Sequence, residues 1–289
     1  MSFSVSPLYT IHGYTESMYK VVCFKGNRDP DKVFLRDHEE QQHYENKLDS
    51  NFSRARSMVL QYALCNPWDY FFTGTLDRSK YNRYDLDSFA AALSQFVRDK
   101  RKKYDAKFQY LFVPEQHKDG AWHMHGLIQG LPVSVLSRFS PPAPLDLISG
   151  GFLNWPDYQD KFGFCSLAPI RDPVATAYYI TKYVSKDLAR RGGDLGKHLY
   201  FHSRPLRKAE KLSEVYLYQS ELEQYCTHDH DFCKTGMVED APWYFPYQWD
   251  GSEAVAEDPL FPKPLEDPLQ DFDPMTVDPF YEQLRFSLS

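Results

Sequence analysis

The chain has 289 residues, 42% of them hydrophobic, which allows one large domain or two small ones with a buried core. Its five scattered cysteines (Cys23, Cys65, Cys165, Cys226, Cys233) argue against a disulfide framework and for a reducing cytoplasm, no apolar run is long enough to span a bilayer, and the first residues lack a signal-peptide pattern. The net charge of -7 hides a segregation, because residues 51–211 carry 24 Lys/Arg against 15 Asp/Glu while residues 212–289 carry 3 against 17, so the basic middle points to a polyanionic partner.

In chain order, Ser17 to Phe24 reads as a strand ending at Gly26-Asn27. Val33 to Leu64 is charged and mostly free of Pro and Gly, which suits helix; Asn51 is a capping residue, with apolar spacing at Phe52, Ala55, Val59 and Tyr62. Asn66-Pro67 ends it. Asp69 to Asp77, aromatic and Thr-rich, reads as a core strand, in which Gly74 lets a backbone or ligand approach closely or marks a bulge. Leu86-Asp87-Ser88 opens a helix with Phe89, Ala92, Leu93 and Phe96 on one stripe. It ends in the basic run Arg98 to Lys103, which suits both the helix dipole and phosphate binding.

Phe108 to His117, a short loop, and Trp122 to Ile128 read as a β-hairpin. A strand has a side-chain period of two, so His123 and His125 share one face and Met124 the other. A three-residue loop Lys118-Asp119-Gly120 pairs His117 with Ala121 and so Glu115 with His123; a two-residue Asp119-Gly120 turn would put Glu115 on the Met124 face. The first is preferred because it converges Glu115, His123 and His125, with Gln116 and His117 as fallback ligands. One carboxylate with two imidazoles suits Mg²⁺ or Mn²⁺, and zinc would also fit.

Residues 131–160, rich in Pro and Gly, read as a long loop, and Lys161 to Leu167 as a strand. Asp172 is a good N-cap with Pro173 at the first helical position. The helix carries a packing stripe of Val174, Ala177, Tyr178, Thr181, Val184 and Leu188, and a second stripe turned away from it with Tyr179, Lys182, Tyr183, Lys186 and Arg190. Residues 198–202 read as a last strand and Lys208 to Gln224 as helix. Cys226, His228, His230 and Cys233 are possible zinc ligands in a spacing unlike the usual fingers. The acidic, Pro-rich residues 240–289 read as a disordered tail.

Three motifs therefore stand in order: Phe71-Phe72-Thr73-Gly74-Thr75-Leu76, His123-Met124-His125, and Tyr179-x-x-x-Tyr183 with Lys182 and Lys186. Over roughly residues 50–210 this set resembles the HUH endonucleases, and most of all the rolling-circle replication initiators of small single-stranded DNA phages. The resemblance implies an α+β fold: a central five-stranded antiparallel sheet of the ferredoxin or RNA-recognition kind with flanking helices, the His-x-His strand central and the tyrosine helix against its face. It implies a nicking and joining domain over 51–211, an N-terminal extension over 1–50 and a C-terminal helical extension over 212–239 before the tail. The implied sites are Tyr179, Tyr183, Lys182 and Lys186 for catalysis and Glu115, His123 and His125 for Mg²⁺ or Mn²⁺, with Thr73, Thr75, Arg190 and Arg191 as candidate DNA contacts.

The implied reaction is attack of a tyrosine oxygen on a phosphorus of single-stranded origin DNA, giving a 5′-phosphotyrosine and a free 3′-OH that can later religate. A tyrosine pKa of about 10 makes the phenolate cost roughly 4 kcal/mol at pH 7, so an ion on the phosphate and nearby lysines have a clear task. The chain lacks a G-x-x-x-x-G-K-[ST] loop, so a host helicase and polymerase are expected partners in a bacterial cytoplasm, with no membrane. A transposase or relaxase using the same chemistry, a non-catalytic RNA-recognition-like binding module, and an unrelated zinc hydrolase are the rival readings.

Overall fold

The structure, a computed structural model, describes residues 8–24, 40–184, 199–216, 224–229 and 233–239. The chain divides into two compact units, one joining residues 1–37 to 208–270 and the other holding residues 38–207 with 271–289.

In the first unit β1 (Leu8–Gly13) and β2 (Met18–Phe24) pair with β10 (Glu210–Tyr216), β11 (His228–Asp229) and β12 (Cys233–Glu239) in the sheet order β10-β1-β2-β12-β11. Alternation builds its core: Tyr9 and Ile11 lie opposite Cys23 and Val21, and Tyr19, Tyr225 and Val238 complete the buried cluster. Two sequence expectations change here. Residues 210–216 are a strand where a helix was expected, because their partner β1 is some two hundred positions away and local propensity cannot register it. The two chain ends, read as separate extensions, supply strands to one sheet.

The second unit contains α1 (Glu40–Leu64), β3 (Tyr70–Thr75), α2 (Leu86–Lys103), β4 (Gln109–Gln116), β5 (Trp122–Gln129), β6 (Ser137–Arg138), α3 (Leu145–Ser149), β7 (Leu153–Asn154), α4 (Pro156–Lys161), β8 (Cys165–Pro169), α5 (Pro173–Thr181) and β9 (Phe201–His202). Its strands form an antiparallel sheet in the order β6-β7-β8-β3-β5-β4-β9. The class is α+β, but the sheet has seven strands among the described residues, where five were expected. Four are long, β8-β3-β5-β4, and β6, β7 and β9 have two residues each.

One sheet face is the main core. Phe72, Phe112, Met124, Ile128 and Leu167 meet Phe89, Leu93, Phe96 and Val97 of α2 and Tyr158 of α4. Asp85 caps α2 by accepting from the Ser88 amide at 3.0 Å. The basic end of α2 is fastened to the protein: Lys100 and Lys103 reach Asp157, and Arg101 donates to the Phe108 carbonyl and to Ser203 Oγ. Residues 131–160 are thus not a bare loop, since they supply β6, α3, β7 and α4. Nor does Asn51 cap a helix; α1 begins at Glu40 and runs through it. No helix of the described residues is long and apolar enough to cross a membrane.

Candidate functional site

The opposite face of that sheet gathers the titratable groups. The hairpin takes the three-residue loop: His117 N donates to Ala121 O at 2.8 Å, and Gly120 holds φ 86°, the left-handed region that only glycine enters freely. Glu115 consequently lies opposite His123, and Thr75 lies opposite it on the other side. One step along, His125 is flanked by Thr73 on β3 and Val113 on β4. With β3 and β4 on either side, β5 is interior to the sheet, and His123 and His125 are both buried.

His125 is held at both ring nitrogens. Nε2 lies 2.7 Å from Glu115 Oε2, and Nδ1 lies 3.3 Å from Thr73 Oγ1. With Nε2 protonated toward the carboxylate, Nδ1 accepts from the threonine hydroxyl; with an ion on Nε2, Nδ1–H can donate to that same oxygen. The His123 ring is stacked on His117, with centroids 5.2 Å apart. Burial, with His125 and His117 adding to it, depresses His123 to about 4, so it is a neutral imidazole with a free lone pair near pH 7.

These donors suit a divalent ion in kind: two imidazoles and a carboxylate on one face, one imidazole kept neutral by burial, the other oriented by a hydroxyl. Among the described residues, however, no three His, Cys, Asp or Glu side chains gather as a group that could hold an ion. Glu115 Oε2 is engaged with His125, and His123 faces His117, so binding requires the Glu115–His125 contact to open. Of the fallback ligands, Gln116 donates to Gly120 O and His117 Nδ1 lies 3.5 Å from Asp119 Oδ1.

Helix α5 brings the phenols to this same face. Asp172 caps it, accepting from the Ala175 amide at 2.9 Å, and Pro173 occupies the first turn. Beyond Thr181 the chain tightens, with amides 182, 183 and 184 each bonded three residues back. The Tyr179 ring packs edge-on against Phe71 of β3, centroids 5.3 Å apart. Tyr183 stacks on His125 with centroids 3.8 Å apart and planes 11° apart. The two hydroxyls are 2.8 Å apart, and Lys182 Nζ lies 4.3 Å from the Tyr179 ring centroid. The tyrosine stripe does turn away from the other packing stripe, as expected, but it meets the sheet rather than water because α1 covers the helix on its other side.

The remaining expected residues fall as follows. Thr73 and Thr75 are buried, and the Thr75 hydroxyl donates to Phe164 O at 3.1 Å, so both hydroxyls have partners inside the protein. Thr73 had no sequence signal linking it to His125; only the strand register supplies that link. Lys186, Arg190 and Arg191 lie outside the described residues, as do His230 of the possible zinc cluster and the tail from 240.

Residues 69–188, from the start of β3 past α5, match the sequence model of a replication-associated protein family, the one typified by the replication-associated protein ORF2. Searches among curated proteins and among solved structures each returned no match.

Proposed function

We propose that this chain is a replication initiator that nicks and rejoins single-stranded DNA through a tyrosine on α5. The observation that carries the reading is the stacking of Tyr183 on His125, which puts two hydrogen-bonded phenols over the face that bears His123, His125 and Glu115. The match of residues 69–188 to replication-associated proteins supports the same reading.

In this reading Tyr179 attacks first. It is the more exposed phenol, its oxygen sits 2.8 Å from the Tyr183 hydroxyl that can donate to it, and Lys182 lies over its ring. A donated hydrogen bond and a nearby ammonium both stabilise the phenolate. The Tyr179 oxygen bonds to phosphorus, the bond from phosphorus to the 3′ oxygen breaks, and that oxygen leaves with a proton as the 3′-OH. Tyr183 is then the second nucleophile for rejoining. Glu115, His123 and His125 would hold Mg²⁺ or Mn²⁺, which supplies charge neutralisation and alignment of the scissile phosphate when bound. Thr73 fixes the His125 ring for that task.

The test incubates the full chain with labelled single-stranded origin DNA and Mg²⁺ or Mn²⁺, then runs a denaturing gel. The expected result is a covalent band from the wild type and none from Tyr179→Phe with Tyr183→Phe. A band that persists in the double variant, or a wild type that shifts DNA only in native gels, overturns the proposal.

A further inference from the structure

At the opposite end of β3 from Thr75 and His123 lies a cavity of about 1020 Å³, bounded by Trp68, Tyr70, Phe139 and Phe152 and by the polar side chains of Asp69 and Arg138. Nothing in the chemistry above uses it. The aromatic rings give flat apolar surface, and the half-open cavity is too polar at its rim to be a closed core void. Arg138 is exposed and, unusually for this unit's well-partnered cations, makes no hydrogen bond or ion pair with any described residue. Lys100, Arg101 and Lys103 by contrast are all engaged internally. Asp69 is held at the rim, its Oδ2 accepting from the Gly130 amide at 2.6 Å. An anionic group is therefore drawn to the Arg138 side of the cavity and repelled from the Asp69 side.

We infer that this cavity seats an unpaired nucleotide of single-stranded DNA, its base stacked on the aromatic rings and its phosphate against Arg138. The inference rests on the proposed nicking function, because it makes the cavity a binding site for DNA flanking the scissile phosphate. Aromatic rings beside a free arginine are the pairing that single-stranded DNA recognition uses, since every base offers a π-face and every linkage a charge. The placement is compatible: Tyr70 and Thr75 are five positions apart on β3, about 17 Å at the strand rise, a separation that a few nucleotides of extended strand can cover. The cavity also draws on segments remote in sequence, the turn before β3, the β6 and β7 region, and the end of β8, so it exists only in the folded unit.

The experiment uses the full chain and a single-stranded oligonucleotide bearing one 5-iododeoxyuridine at successive positions, irradiated and mapped by mass spectrometry. The expected cross-links fall in peptides containing Trp68, Tyr70, Phe139 or Phe152, for label positions at a fixed offset from the cleavage site. Alongside, Arg138→Ala is expected to weaken oligonucleotide binding about three- to tenfold and to lower the slope of log affinity against log salt by about one, with Arg138→Lys recovering the slope. Phe139→Ala is expected to weaken binding about tenfold without changing that slope. Cross-links confined to other parts of the chain, or wild-type affinity and slope in Arg138→Ala, overturn the inference. Covalent adduct formation is read in the same samples, so an adduct without cavity cross-links removes the cavity and leaves nicking standing, whereas cavity cross-links without an adduct do the reverse.

Discussion

The ring of Tyr183 lies flat on the ring of His125, 3.8 Å between centroids, while its hydroxyl meets that of Tyr179. One side chain thus covers an imidazole on the sheet and positions a second phenol. Its two roles separate by substitution. Tyr183→Phe keeps the stack and loses only the hydroxyl, so unfolding stability is expected to stay within about 1 kcal/mol of wild type. Tyr183→Ala removes a buried ring and is expected to cost about 3–5 kcal/mol. Denaturant midpoints check both; equal losses in the two variants would mean that the stack contributes nothing.

The roles of the two phenols separate in the covalent assay. Tyr179→Phe is expected to lower the rate of first adduct formation by about 10²-fold or more, the order that loss of a nucleophile implies, and Tyr183→Phe by about tenfold through the lost hydrogen bond. Rapid-quench gels measure the rates. A Tyr179→Phe variant that forms adduct as fast as wild type would move the first attack to Tyr183.

Thr73→Val keeps the shape of the side chain and deletes the hydroxyl 3.3 Å from His125 Nδ1. If that hydroxyl orients a metal-bearing imidazole, Mn²⁺ affinity should fall about 10–100-fold, the usual cost of losing such a partner. Titration calorimetry with Mn²⁺ alone reads this without DNA. His123→Ala with His125→Ala should abolish Mn²⁺ binding altogether. Unchanged Mn²⁺ affinity in the double variant would remove the ion from this face.

How much of this was visible in the sequence differs by element. The hairpin register was legible because its turn is local: Gly120 in the left-handed region fixes the three-residue loop, and parity then sets Glu115 opposite His123. The tyrosine pair was legible as one helix face, but not the covering of that face, which depends on α1 and Phe71 coming from elsewhere. Two-residue strands such as β6 and β7 carry no periodicity to read. The basic run at the end of α2 suited phosphate as well as protein until Asp157, some fifty positions on, appeared beside it. Gly74 was read as a point of close approach by backbone or ligand, and the groups that approach are side chains.

A Cβ at Gly74 would stand 2.4 Å from Tyr158 Oη and 2.6 Å from the Phe72 ring. Gly74→Ala is therefore expected to destabilise the unit by about 1–3 kcal/mol through overpacking. The Tyr158 hydroxyl is buried with no hydrogen-bond partner among the described residues. Tyr158→Phe should accordingly raise stability by about 1 kcal/mol and recover part of the Gly74→Ala loss when combined with it. Urea unfolding of the two single variants and the pair checks this, and a Gly74→Ala protein as stable as wild type would contradict the packing.

Burial alone would raise the Asp157 carboxyl, but hydrogen bonds from Lys100, Tyr104 and Lys103 outweigh it and hold the group well below the usual carboxylate range. Its unfolded pKa is about 3.9. A depressed carboxylate contributes fully above that value and loses its contribution as pH falls toward the folded one. Unfolding midpoints should hence decline between about pH 5 and pH 2, less steeply in Asp157→Asn. Parallel declines in the two proteins would show that this carboxylate is not among the groups responsible.

The imidazoles sit on β5, which has a full ladder on each edge. Interior strands are commonly the last part of a domain to undergo local opening, so amide exchange at residues 123–125 should be among the slowest in the unit. The phenols instead stand where an α-helix gives way to a tighter turn, which is the kind of place where a backbone can readjust. A nucleophile that shifts against a stationary imidazole pair would let a bulky strand enter and leave while the polar groups that must line up with its phosphate keep their positions.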